Sequence, residues 1–194
     1  MADSSSVIAL DHARRLYAET LDWYKSADSK AQVLLTLDAA FLAFLTSLAF
    51  AKHGDLIEIV RRFRADTWVL LTVMSLSLSG SIVSALICLW SRIYTRRAIK
   101  QLLANLQGDG TKSYPPEVMH FFQMINGLNR ERFLEQLAQV DMEFEIQALG
   151  NEIIELSRNV LIKHRWVNRG FFLAATSLIL LLAMGISYLT RFRN

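Results

Sequence analysis

Residues 67–90 read TWVLLTVMSLSLSGSIVSALICLW, with no Asp, Glu, Lys or Arg among them. The stretch is 24 residues long, and a helix needs roughly 20 predominantly apolar residues to cross a hydrocarbon core about 30 Å thick. Two further blocks have the same character. Residues 31–51 read AQVLLTLDAAFLAFLTSLAFA, and residues 170–189 read GFFLAATSLILLLAMGISYL. Cations bracket each block: Lys30 and Lys52, Arg64 and Arg92, Arg169 and Arg191. Long basic side chains at such points reach the headgroups while their stems stay in apolar surroundings. Trp68, Trp90, Trp166 and Tyr188 stand at or near block ends, as an interfacial aromatic belt requires. A buried core helix explains one such block but not three with these flanks. The expected fold class is therefore an all-α integral membrane protein with three transmembrane helices.

The first block is not read as a signal peptide, although Ala49-Phe50-Ala51 mimics a cleavage site. Some thirty residues would precede it as an n-region, and its apolar run exceeds the usual h-region of roughly 7–15 residues. Cys88 is the only cysteine, so neither an intrachain disulfide nor a Cys-based metal site can form. The net charge is +3, without a basic stripe interleaved with aromatics, so no nucleic-acid partner is expected.

Charge sets the expected orientation. With three spans, the tail to Lys30 and the long segment from Arg92 to Arg169 share one side and carry 15 Lys and Arg residues, against 6 on the other side. The positive-inside rule places that richer side in the cytoplasm. The expected organisation is one domain. It runs as a cytoplasmic amphipathic lead-in helix over 1–30, a first span over 31–51, an outer loop over 52–66 and a second span over 67–90. A cytoplasmic helical region over 91–169, a third span over 170–189 and a tail over 190–194 follow.

From Val7 there is no Gly or Pro until Gly54, and Leu10, Ala13, Leu16, Tyr17, Leu21 and Tyr24 keep helical spacing. Lead-in and first span are thus expected to form one helix, with Asp11 as a candidate cap. The second span is expected to continue through Leu103 and to stop near Gly108-Asp109-Gly110, ahead of Pro115 and Pro116. A short helix from Glu117 to about Asn126 should break at Gly127. From Asn129 the chain is expected to be helical without interruption into the third span. Phe133, Leu137, Val140 and Phe144, then Leu149, Ile153, Leu156 and Val160, form its apolar face, with an irregularity near Gly150. At least two spans would then extend into a cytoplasmic helical bundle, whose apolar faces need partners in the same chain or in other copies.

Asp38 lies inside the first span, where an ionised carboxylate is expensive unless paired or hydrated. It either lines a polar pathway or switches between packings, or it is held by a hydroxyl or cation on a neighbouring helix. Asp28-Ser29-Lys30 stands just before the first span, either as a snorkelling Lys with a solvated Asp or as a contact between bundles. Ser77, Gly80, Ser81, Ser84 and Cys88 share one helical face of the second span. Ala39, Ala43, Ser47 and Ala51 form a ridge on the first. Small residues so spaced let helices approach closely, and they also suit a weakly polar pore lining. The candidate gating or packing residues are thus Asp28, Lys30, Asp38, Ser77, Ser81, Ser84 and, before the third span, Lys163. His12, His53, His120 and His164 are scattered, so no metal site is expected. No P-loop, GxGxxG, GxSxG or HExxH pattern occurs, and enzymatic activity is not expected.

Residues 21–47, LDWYKSADSKAQVLLTLDAAFLAFLTS, resemble the start of the Pycsar effector transmembrane domain family. An Ala-Asp-x-Lys-Ala-like element there opens a first span with a polar residue inside, often Asn. Here the element is Ala27-Asp28-Ser29-Lys30-Ala31, and the polar residue is Asp38. The end of the chain is similar too: Ile154, Leu156 and Ser157, then Lys163 shortly before the last span. The resemblance reaches over residues 18–189. It implies a bacterial inner-membrane effector of antiphage immunity, a homo-oligomer coupled to a pyrimidine cyclase. Cyclic CMP or cyclic UMP would be the ligand, no cofactor is needed, and damage to the membrane would abort infection. Some such effectors carry a separate β-rich nucleotide-binding domain. This chain shows no Gly-Glu-to-Arg phosphate cassette between its second and third spans. The resemblance therefore assigns no residue to a ligand site. Two other function classes remain at this point: a constitutive ion or proton pathway titrating at Asp38, and a membrane scaffold that recruits a partner.

Overall fold

The computed structural model describes residues 4–51, 63–90, 114–120 and 122–192. All regular elements among these residues are helices. They are α1 (Ser4–Ala51), α2 (Ala65–Leu89), α3 (Pro116–His120), α4 (Phe122–Ile125), α5 (Arg130–Leu137) and α6 (Met142–Phe192). Three of them, α1, α2 and α6, are long and apolar enough to cross a membrane. The 25 residues of α2 rise about 37 Å at 1.5 Å each, enough for one crossing. At 48 and 51 residues, α1 and α6 are roughly twice as long as one crossing needs.

α1 is unbroken, as the absence of Gly and Pro implies. Asp11 does not cap it. It lies two turns inside, paired with Arg15 at 3.1 Å in an i, i+4 ion pair. The expected continuation of the second span through Leu103 lies outside the described residues. α2 stops at Trp90, whose N–H donates to the Leu86 carbonyl at 2.8 Å. At its start Phe63 packs edge-on against Trp68, ring centroids 5.8 Å apart.

The expectation of one unbroken helix from Asn129 is corrected. The chain leaves the helix over 138–141 and starts afresh at Met142. Two side-chain caps explain the interruption. The Asn129 side-chain Oδ1 accepts from the Arg132 N–H at 3.1 Å and opens α5. The Asp141 carboxylate accepts from the Phe144 N–H at 2.8 Å and opens α6, with Glu143 and Glu145 in the first turn. A capping carboxylate and acidic first turn favour a helix start. In consequence Leu137 and Val140 are exposed rather than part of a continuous apolar face. α6 runs through Gly150 without a break.

The chain divides into two compact units, each containing part of α1 and of α6. The first comprises 1–24 and 91–160. Arg14 there forms a two-pronged pair with Glu145, at 2.8 and 2.9 Å. Tyr114 is buried beside α5. It exchanges backbone hydrogen bonds with the Gln136 amide, at 2.6 and 2.5 Å, and lies beneath Arg132 at 4.8 Å. Burial, and then the nearby Glu152 carboxylate, hold the Tyr17 phenol above its ordinary 10.0, so it keeps its proton at neutral pH.

The second unit, 25–90 and 161–194, is a three-helix bundle. Ala31, Leu34, Ala85, Cys88, Val167 and Ala174 form one core of it; Phe41, Met74 and Leu78 form another. Its buried polar residues include Asp38, Ser77, Ser81, Ser84 and Ser177, while Val33, Leu37, Phe44, Val73, Leu76, Val83, Phe172, Ile179, Leu182 and Ile186 stand exposed. In water this arrangement would be inside out. In a bilayer it is the ordinary one, because lipid tails accept large aliphatic side chains and small residues let helix backbones approach. The outward hydroxyls fit the same solvent. Thr36, Thr72 and Ser75 each donate to the carbonyl one turn back, at 3.0, 2.8 and 2.9 Å, and so need no water.

Candidate functional site

Small residues bring the three helices of the bundle together around Gly170. A Cβ there would overlap the Leu34 Cδ2 methyl of α1 and approach the Ser84 Cβ of α2 to 3.3 Å. Gly80 of α2 in turn accommodates Leu173, whose Cδ1 a Cβ would meet at 3.0 Å. This pinch sets how closely α6 approaches α1 and α2, and two polar contacts sit near it.

The first is Asp38 with Ser81. The Ser81 hydroxyl donates to Asp38 Oδ2 at 2.7 Å, and the two residues are 2% and 0% exposed. Unlike the outward hydroxyls, Ser81 bonds across to another helix. Leu34 and Phe41, one turn to either side of Asp38 on α1, are also buried. They close the interior above and below the carboxyl group within one chain. Among the two readings of Asp38, the structure places it against a hydroxyl on a neighbouring helix.

The second contact is Asp28 with Lys163. The Lys163 ammonium donates to Asp28 Oδ1 at 2.5 Å, joining α1 to α6. The Lys163 side chain is 5% exposed and that of Asp28 is 29% exposed. Asp28 is thus not simply solvated, and Lys30 beside it is exposed. Nearby, the Cys88 thiol lies 3.8 Å from the Ala27 carbonyl. No buried side-chain nitrogen or oxygen among the described residues lacks a hydrogen-bond partner.

Ser77, Ser81, Ser84 and Cys88 are buried together, as their shared face implies. The Ala39, Ala43 and Ser47 row on α1 does not pack within the chain, where these residues are exposed. The inward face of α1 is the one bearing Ala27, Ala31, Leu34, Asp38 and Phe41. Each of these lies three or four residues from the next, so their side chains stack along one stripe. Among the described residues no cluster of His, Cys, Asp and Glu could hold a metal. His53 lies outside the described residues.

Residues 12–190, nearly the whole chain, match the sequence profile of the Pycsar effector protein domain. The chain belongs to that family. Pycsar effectors of this kind are membrane effectors of antiphage defence, and they work with a cyclase-generated cyclic nucleotide signal. The Pycsar transmembrane domain is not a known enzyme family. No curated protein and no solved structure matches the chain. The Pycsar match also gives the ion pair a place in the sequence. Asp28 belongs to the Ala-Asp-Ser-Lys-Ala element at one end of the matched region and Lys163 to the other end. The structure brings the two into one contact, 135 residues apart along the chain.

Proposed function

We propose that this chain is a gated effector of the bacterial inner membrane, responding to cyclic CMP or cyclic UMP from a partner pyrimidine cyclase. On activation it impairs membrane integrity and aborts infection. The observation that carries the reading is the closed three-helix bundle with a buried carboxyl group, Asp38, held by Ser81. A carboxyl group at such depth is costly unless paired or hydrated, and Ser81 supplies a pairing that an opening of the bundle would exchange for water. The N-terminus and the segment 91–169 would lie in the cytoplasm, where the signal is made.

Gating in this account is a population shift. The nucleotide binds one packing of the cytoplasmic helices better than the other. Both α1 and α6 continue without a break into the spans, so a change of tilt outside is transmitted inside. Asp28–Lys163 and Asp38–Ser81 belong to the closed packing, together with the faces bearing Ser77 and Ser84. Opening separates α1 from α2 and α6 and exposes Asp38 to water. The exposed Ala39, Ala43 and Ser47 row would then meet another copy of the chain, because small residues at that spacing suit close helix contact. The test is growth after induction, with nucleotide synthesis switched on. Asp38→Ala and Asp38→Asn should lose nucleotide-dependent toxicity while still reaching the membrane. Toxicity equal to that of the parent in both would remove Asp38 from the mechanism.

A further inference from the structure

A groove of about 460 Å³ opens between α2 and α6, lined by Ser84, Trp166, Asn168, Arg169, Phe172 and Leu173. Its volume lies within the roughly 300–1,000 Å³ typical of small-molecule sites. Beside it Leu173 leans over Gly80, and Ser84 faces Gly170. The groove's surface is almost wholly apolar. Asn168 and Arg169 stand exposed at its edge, just ahead of the apolar run that begins at Gly170.

Arg169 is placed for an anion. Its guanidinium carbon lies 5.2 Å from the centre of the Trp166 ring. Stacking uses the charge and face of a guanidinium and leaves its N–H donors for an acceptor. Asn168 adds an amide beside it. We infer that this groove binds one anionic glycerophospholipid. Its phosphate is held by Arg169 and Asn168, and an acyl chain lies against Phe172 and Leu173. A lipid fits better than a soluble phosphate compound because the groove itself is apolar and belongs to a membrane-spanning segment. The site touches Ser84, so an occupied groove would wedge the helix faces that meet at Gly170. This inference rests on the membrane reading of the chain, not on nucleotide gating.

The full chain, purified in a neutral detergent, is titrated separately with phosphatidylglycerol, phosphatidylcholine and inorganic phosphate. Retained lipid is counted by native mass spectrometry. Phosphatidylglycerol should saturate at one lipid per chain and bind about tenfold more tightly than phosphatidylcholine. Arg169→Gln should abolish that preference. Arg165→Gln, which removes an exposed cation one turn away, should leave it intact. Inorganic phosphate should not compete at millimolar concentration. Three results overturn the inference: equal retention of both lipids by the parent, equal loss in the two variants, or displacement of phosphatidylglycerol by inorganic phosphate. Because these are binding readouts on a purified chain, a failure of nucleotide gating would not alter them.

Discussion

Exchanging Asp28 for Ala should cost more than exchanging Lys163 for Met, although both substitutions break the same ion pair. The asymmetry comes from burial. The Lys163 side chain is 5% exposed and that of Asp28 is 29% exposed. Removing the carboxylate leaves a nearly buried ammonium without its closest counter-charge, and breaking a buried pair in this way typically costs about 3–5 kcal/mol. Lys163 has a further interaction, which sets the expected cost of Asp28→Ala at the lower end, about 3 kcal/mol. Lys163→Met keeps the apolar stem and leaves a carboxylate that water can reach, so about 1 kcal/mol is expected. The double variant removes both charges from the bundle and should be more stable than Asp28→Ala alone, with a coupling of about 2 kcal/mol. Unfolding of the purified chain in mixed micelles, titrated with denaturing detergent and followed by tryptophan fluorescence, measures all four states of the cycle. The same numbers bear on function. If the pair is made only in the closed packing, losing about 3 kcal/mol lowers the closed-to-open ratio about a hundredfold. Asp28→Ala should then depolarise cells without any nucleotide. Equal costs for the two single variants, or a double variant no better than Asp28→Ala, would refute the reasoning.

Gly170→Ala places a methyl against Leu34 and Ser84 and should destabilise the bundle by about 1–3 kcal/mol, with Leu34→Val in the same chain relieving part of the loss. Ser81→Ala removes the hydroxyl donor from buried Asp38 and should cost about 1–3 kcal/mol, less when Asp38→Asn is added; the same detergent titration reads both. Asp141→Ala removes the cap of α6 and should cost about 1 kcal/mol, with Asp141→Asn close to the parent. Hydrogen exchange confined to the first turn of α6 would report that local loss.

The three long helices were legible in the sequence because length and apolarity alone define a segment that can span a bilayer. The buried face of α2 was legible too, since its Ser and Cys residues recur at helical spacing amid large aliphatic neighbours. The face of α1 that packs within the chain was less legible. The Ala39-Ala43-Ser47 row satisfies the rule for close approach, but that rule does not say which helix approaches. Asp38 carried the better signal. A carboxyl group inside a span faces the bundle interior, and residues three and four away from it, Leu34 and Phe41, line the same face. The restart of α6 was also written in the chain, as Asp141 followed by Glu143 and Glu145. Apolar spacing across Leu137, Val140 and Phe144 masked it. The pairing of Asp28 with Lys163 is a tertiary contact across 135 positions, and no local pattern specifies it. Tyr114 precedes two prolines, a loop signal that gives no sign of its burial.

Membrane potential in bacteria expressing this chain, with and without induced synthesis of cyclic CMP or cyclic UMP, tests the central claim most directly. The account predicts depolarisation and dye entry only when the nucleotide is made. An intact membrane under both conditions would contradict it and favour a scaffold, and depolarisation regardless of nucleotide would replace gating with a constitutive pathway.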